Sequence, residues 1–109
     1  MKVYKGIRND SGATVTVTRE NVISKLDPRF DLRNHSPTGF EWGYGGSGPA
    51  QLSLAILSDH FGDDDQAQKH YQDFKFKVIG NIKENDWALS TEQINLALHD
   101  LIQSEARNG

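Results

Sequence analysis

The chain has no cysteine in its 109 residues, and only three prolines and one methionine. Without cysteine there are no disulfides and no thiolate chemistry, which fits a reducing compartment. Long apolar runs are also missing, and none approaches the ~20 residues that a membrane helix needs. The opening stretch MKVYKGIRND lacks the apolar core of a secretion signal. A cytoplasmic protein with no membrane partner is expected. There is no excess of positive charge either: the net charge is −3. A sequence-independent duplex binder would show a basic stripe, so duplex nucleic acid is not an expected partner.

The usual marks of catalysis and of metal binding are equally scarce. His60, His70 and His99 form no HxxxH pair, and no cysteine accompanies them. No two carboxylates stand out as an acid/base couple. Ser47, His35 and an aspartate permit a triad on paper, as almost any chain of this composition does. The expectation is a protein with no metal, no cofactor and no enzymatic activity.

With 36% hydrophobic and 25% charged residues, the chain is long enough for one modest core, a single domain over residues 1–109. Its charge is uneven. Residues 1–58 carry seven Lys and Arg against five Asp and Glu, a balance of +2, whereas residues 59–109 carry five against ten, a balance of −5. Four of the five arginines, Arg8, Arg19, Arg29 and Arg33, lie in the first third. A small anionic ligand needs only a few such arginines.

Residues 2–8 alternate Val3, Lys5 and Ile7 with Tyr4, Gly6 and Arg8, and residues 13–18 alternate threonine with valine. That is strand periodicity. Asn9-Asp10-Ser11-Gly12 supplies turn chemistry for a hairpin. Residues 20–26 make a third strand, stopped by Asp27-Pro28. From Asp27 to Gly48 neither period is found. Such a loop is usually functional, and Phe30, Leu32, Phe40, Trp42 and Tyr44 make it too aromatic for a linker; it is expected to be ordered.

A helix follows from Pro49 to about His60, with Ser47 as the nearest cap and Gly62 as the stop. Its run of Leu52, Leu54, Ala55, Ile56 and Leu57 leaves little polar surface, so it should be buried on most sides. Asp63-Asp64-Asp65 suits the start of the next helix, where negative charge meets the dipole. That helix is placed at Asp65–Ile79 with Gly80 as its stop; Ala67, Tyr71, Phe74 and Val78 share its inner face, and Phe76 lies off it. Ser90-Thr91-Glu92-Gln93 is a capping box for a third helix over Thr91–Arg107, with Ile94, Ala97, Leu98, Leu101 and Ile102 as its buried stripe. The fold class is α+β: an antiparallel hairpin or small sheet, a long ordered loop, then three helices.

The glycines at 43, 45, 46 and 48 stand just before a helix. Small residues, free N–H groups and the helix dipole together form the logic of a phosphate-cradling loop. It is not a Walker loop, because no Gly-Lys-Ser/Thr follows. The same pattern also serves a tight turn into a buried helix, and both readings stand. In the polar run before it, Arg33 suits a bidentate phosphate contact, while Asn34 and His35 suit an internal loop network.

These residues also carry a resemblance. LRNHSPTGFEWGYGGSGPAQLSLAIL, then HYQDFKFKVI, then NDWALSTEQI resembles a family of small phage and prokaryotic proteins with the motif NHSPxGFxWGYxGSGPxQLALAIL and a downstream YQxFK. The likeness covers about Met1 to Leu101. The group looks to include the first type of phage Thoeris anti-defence sponges. The resemblance implies a protein that sequesters the cyclic ADP-ribose isomer made by TIR-domain enzymes without cleaving it. It also implies a site for cyclic di- or trinucleotides of CBASS defence, and a homo-oligomer of up to six subunits inside a bacterial host cell. By the same likeness, Phe74, Arg19, Arg107 and Asn81 are the expected cyclic ADP-ribose contacts. Arg33, Gly46, Ser47, Ala50 and Gln51 are the expected cyclic-oligonucleotide contacts. The alternatives are a protein-interaction accessory module and a small nucleotide hydrolase.

Overall fold

In the computed structural model the backbone is described for residues 1–108 and the side chains for residues 1–103. The order of elements is β1 (Lys2–Asn9), β2 (Gly12–Arg19), β3 (Val22–Lys25), α1 (Ser47–Phe61), α2 (Asp64–Lys77), a short 3-10 turn (Ile79–Asn81), β4 (Asp86–Ser90) and α3 (Thr91–Asn108). The strands form one antiparallel sheet in the order β3-β2-β1-β4. The expected α+β class is what the chain adopts.

Both early hairpins have two-residue turns. In the first, Asn9 pairs with Gly12 and the Asn9 side chain accepts the Ser11 N–H at 2.9 Å. In the second, Glu20 and Asn21 both take positive φ, 48° and 69°, the geometry that suits tight hairpins. That turn takes Glu20 and Asn21 out of the expected third strand, which is shorter than residues 20–26. The fourth strand was not expected. It pairs with β1 through contacts such as Tyr4 with Leu89, completing the sheet from the far end of the chain.

The inner sheet face carries Tyr4, Val15 and Val17, all buried. Gly6 lies on the same face, directly under the Trp87 ring, which occupies the space a Cβ would need. Val3, Lys5 and Ile7 face outward. Helix α1 packs between the sheet and α2, and every residue from Gly48 to Ser58 is buried. Its four fully buried leucine and isoleucine side chains, Leu52, Leu54, Ile56 and Leu57, each contribute about 1.5–3 kcal/mol of transfer free energy. This burial is complete within one chain. The helix is therefore the core of the domain, as its expected burial on most sides implied.

Helix α2 starts at Asp63, whose carboxylate accepts the N–H groups of Asp65 and Gln66. Asp64 instead receives a two-pronged contact from Arg29 at 3.0 and 2.9 Å. Asp63 thus caps, Asp64 forms an ion pair and Asp65 adds negative charge to the first turn, and among the described residues no group of three His, Asp or Glu side chains gathers to hold a metal. The helix ends at Lys77, before Gly80. Asn81 accounts for the stop, because its side-chain amide donates to the carbonyls of Phe76 and Lys77. Helix α3 begins with the expected capping box: the Ser90 N–H donates to Gln93, and the Gln93 N–H donates to Ser90 Oγ. Ile94 and Leu98 are buried, whereas Ile102 is exposed and leaves the expected stripe.

The segment between β3 and α1 has no regular structure, yet it is fixed. The side chain of Gln51, fully buried in α1, holds it at four points. Its oxygen accepts the N–H groups of His35 (2.7 Å) and Ser36 (3.2 Å). Its nitrogen donates to the carbonyls of Pro28 (2.6 Å) and Arg33 (3.0 Å). His35 Nε2 meets the Tyr71 hydroxyl at 2.8 Å. Trp42 donates to the Glu84 carbonyl, and Arg8 clamps Glu41 and the Trp42 carbonyl while lying 4.4 Å over the Trp42 ring.

Gln51→Leu, which keeps the side chain's size but removes its polar groups, should destabilise the protein by about 3 kcal/mol or more, because four backbone groups lose their partners. Urea denaturation measures this, and limited proteolysis should cut between residues 29 and 40 in the variant first. A loss under about 0.5 kcal/mol would show that the loop is held elsewhere.

Candidate functional site

The glycine run leads into the first turn of α1, where Ser47 is exposed, Gly48, Pro49 and Ala50 are buried, and no side chain caps the helix. Gly46 is the capping residue, in an extended conformation, so the expected Ser47 cap is corrected: Ser47 is the first helical residue and no side chain caps the turn. No acidic residue lies in that turn. Pro49 falls at the third helical position, where its missing N–H would have no intrahelical partner in any case. Gly43 donates its N–H to the Ile79 carbonyl at 3.0 Å, and Ala50 donates to Gly46 at 3.1 Å. Between them, among the described residues, the N–H groups from Tyr44 to Gly48 meet no backbone or side-chain acceptor. Four of these residues, Tyr44 to Ser47, are exposed or half-buried, whereas Gly48 is buried, and free donors at the positive end of a helix attract anions.

Two of the glycines serve the fold. Gly43 has φ of 91°, and a Cβ there would lie 2.9 Å from the Ile82 carbonyl. A Cβ on Gly48 would lie 2.7 Å from that of Glu41. The other two give way to aromatics. The Tyr44 ring takes the space beside Gly46, and Phe76 lies 3.4 Å from where a Gly45 side chain would begin. Both rings are open to solvent, Tyr44 at 52% and Phe76 at 62%. Lys75 is only 7% exposed. Its ammonium sits 4.2 Å from the Phe76 ring centre, and no carboxylate pairs with it among the described residues. An unpaired cation beside exposed rings and free N–H groups suits an anion that carries a flat base.

The expected site residues separate in the structure. Gly46 and Ser47 belong to this surface. Ala50 and Gln51 do not: both are buried, and Gln51 has its oxygen and nitrogen engaged by the loop. Their expected ligand role is corrected to a structural one. Arg33 is exposed, with one long contact of 3.4 Å to Gln68. Phe74 is fully buried in the core and has no face to offer a base, so the expected platform is also corrected; Phe76 is the exposed ring nearby. Asn81 uses its side-chain nitrogen to end α2 and so helps to fix Phe76. Tyr44 and Lys75 were missed as site residues, although the aromatic content of the loop and the YQxFK motif both pointed near them.

Arg19 lies at the other end of α1, in an ion pair with Asp59. Asp59 also accepts the Tyr4 hydroxyl at 2.6 Å and faces Lys2 at 3.4 Å. Burial pushes the Tyr4 hydroxyl up to about 12 and lowers Lys2, so Tyr4 remains a donor over the whole physiological range. The 15 residues of α1 separate the two ends by about 20 Å. Arg19 and Asn81 therefore do not converge within one chain. The side chain of Arg107 lies outside the described residues.

The two neighbouring phenylalanines separate structure from site. Phe74→Ala should cost about 3–5 kcal/mol through the cavity it leaves, whereas Phe76→Ala should cost no more than about 1 kcal/mol. Thermal denaturation of the two variants checks this, and equal losses would contradict the assignment.

No curated protein and no solved structure matches this chain. One family's sequence profile does match, over residues 4–100. That span takes in most of β1, the other three strands, the fixed loop, the uncapped turn and the Phe76 region, and on this basis the chain belongs to DUF6166, a family of unknown function.

Proposed function

We propose that the protein is a non-catalytic sponge that binds cyclic nucleotide signals, cyclic ADP-ribose isomers foremost and cyclic di- or trinucleotides second, inside a bacterial cell. The observation that carries this reading is the row of five unpartnered N–H groups from Tyr44 to Gly48, flanked by Tyr44, Phe76 and Lys75. The N–H row serves phosphate, and the rings serve the base. The motif likeness to phage anti-defence sponges points the same way. Binding without turnover is favoured because the titratable groups beside the row are poorly set for catalysis. Tyr44 and Lys75 have no carboxylate or histidine partner among the described residues, and Glu41 is held by Arg8 at 2.7 Å. On this reading the working form is a homo-oligomer of up to six subunits, since Arg19 and Asn81 can share a ligand only across chains.

In the test, the protein is mixed with cyclic ADP-ribose isomers, freed of excess ligand and heated, and the released compound is then analysed. Intact ligand is the expected result; a linear product would sink the sponge reading. At a ligand concentration one hundred times the dissociation constant, stability should rise by about 2.7 kcal/mol. Phe76→Ala should remove most of that gain. Light scattering should report an assembly larger than a monomer.

A second reading, a protein-interaction module, rests on β3. This edge strand exposes Val22 and Ile23, and an unpaired apolar edge invites another strand. It predicts that no nucleotide raises the melting temperature.

A further inference from the structure

The far end of α1 holds a pocket that the glycine-rich turn does not use. Its volume is ≈ 290 Å³, and Leu26, Asp27, Arg29, Ala55, Ser58 and Asp59 line it. That is close to the ~300 Å³ lower bound of small-molecule sites. Ser58 is 3% exposed, and its hydroxyl has no hydrogen-bond partner. The helix offers serine a standard alternative, which Ser53 takes by donating to the Pro49 carbonyl at 2.8 Å. Ser58 makes no such bond and is left with both a donor and an acceptor to fill.

The charges around it define what can enter. Asp59 is already met by Lys2, Tyr4 and Arg19. Arg29 is held by Asp31 and Asp64, and these hydrogen bonds keep its guanidinium firmly protonated. Asp27 accepts only the Arg29 backbone N–H, at 2.8 Å, and among the described residues no cation pairs with it. The C-terminal end of α1 adds negative partial charge. A phosphate is repelled here. An ammonium could donate to Asp27 but could not accept from Ser58. A hydroxyl does both, and a carboxylate has two oxygens to receive two neighbouring hydroxyls. Leu26 and Ala55 supply an apolar wall for the C–H face of a ring.

We propose that this pocket binds a sugar ring through a pair of neighbouring hydroxyls, either as a free pentose or as the ribose of a nucleoside. Asp27 accepts the pair, and Ser58 completes the contact. The site stands independently of the glycine-rich turn, about 20 Å away along α1.

The test is an amide NMR titration of the full chain with D-ribose, adenosine, 2-deoxyribose and inorganic phosphate. Ribose should shift the amides of Ala55, Ser58 and Gly62 saturably, and 2-deoxyribose should bind about five- to tenfold more weakly, the size of one or two lost hydrogen bonds. Tighter binding of adenosine than of ribose marks the nucleoside as the source, and the reverse marks the free sugar. Ser58→Ala should weaken ribose about five- to tenfold while leaving the melting temperature unchanged or raised. Asp27→Asn, at an exposed position, gives the same reading by a second route. The proposal is overturned by stronger shifts of these amides with phosphate than with ribose. It is overturned equally by ribose binding that neither variant weakens, or by no shift at these amides at any ribose concentration.

Discussion

The side chain of Gln51 sits fully buried in a helix with almost no polar surface, and its four hydrogen bonds tie down a segment that has no regular structure of its own. A buried amide costs several kcal/mol if left unpaired, and a buried backbone must likewise find partners. Here each need meets the other. The loop supplies two donors and two acceptors, and the amide supplies the complement. Each bond contributes roughly 1 kcal/mol net, but together they fix the path of the chain from Pro28 to Ser36. Everything downstream depends on that path. It sets Trp42 into the core, brings Glu41 against Gly48 and Arg8, and delivers the chain to Gly46 at the start of α1.

This arrangement changes what the long central motif means. Most of its distinctive residues are engaged within the fold. His35 meets Tyr71, Trp42 reaches Glu84, Gly43 allows a positive φ, Gly48 allows close approach and Gln51 holds the loop. Such residues report a demanding way of building a core and carry no information about ligand. The parts left unengaged are short: Asn34, Pro37 and Thr38 in the loop, and Tyr44 to Ser47, with Phe76 and Lys75 beside the latter.

Elements with a strong period were legible in the sequence. The two hairpin strands, the three helices and the capping box at Ser90 and Gln93 all follow from local chemistry. Strand β4 did not, because five residues give little period and its partner Tyr4 lies 85 residues away from Leu89. Phe74 shows a different limit. Its spacing from Ala67 and Tyr71 already placed it on the buried face, and the resemblance assigned it to a ligand; the structure follows the spacing. Gln51 was readable in principle, since one long polar side chain amid leucines must find buried partners. Those partners lie 15 to 23 residues earlier, in a loop with no pattern to mark them.

The two ends of α1 differ in the charge they can accept, and this limits any single ligand. At the start, the N–H groups from Tyr44 to Gly48 meet no protein acceptor among the described residues, and the first turn holds no acidic residue. At the end, Asp27 and Asp59 join the negative pole of the dipole. About 20 Å of buried helix separates the two ends. A small nucleotide cannot span that distance within one chain. A ligand that uses Arg19 as well as the glycine-rich turn must therefore draw them from different subunits. Within one chain, among the described residues, Arg19 answers only to Asp59.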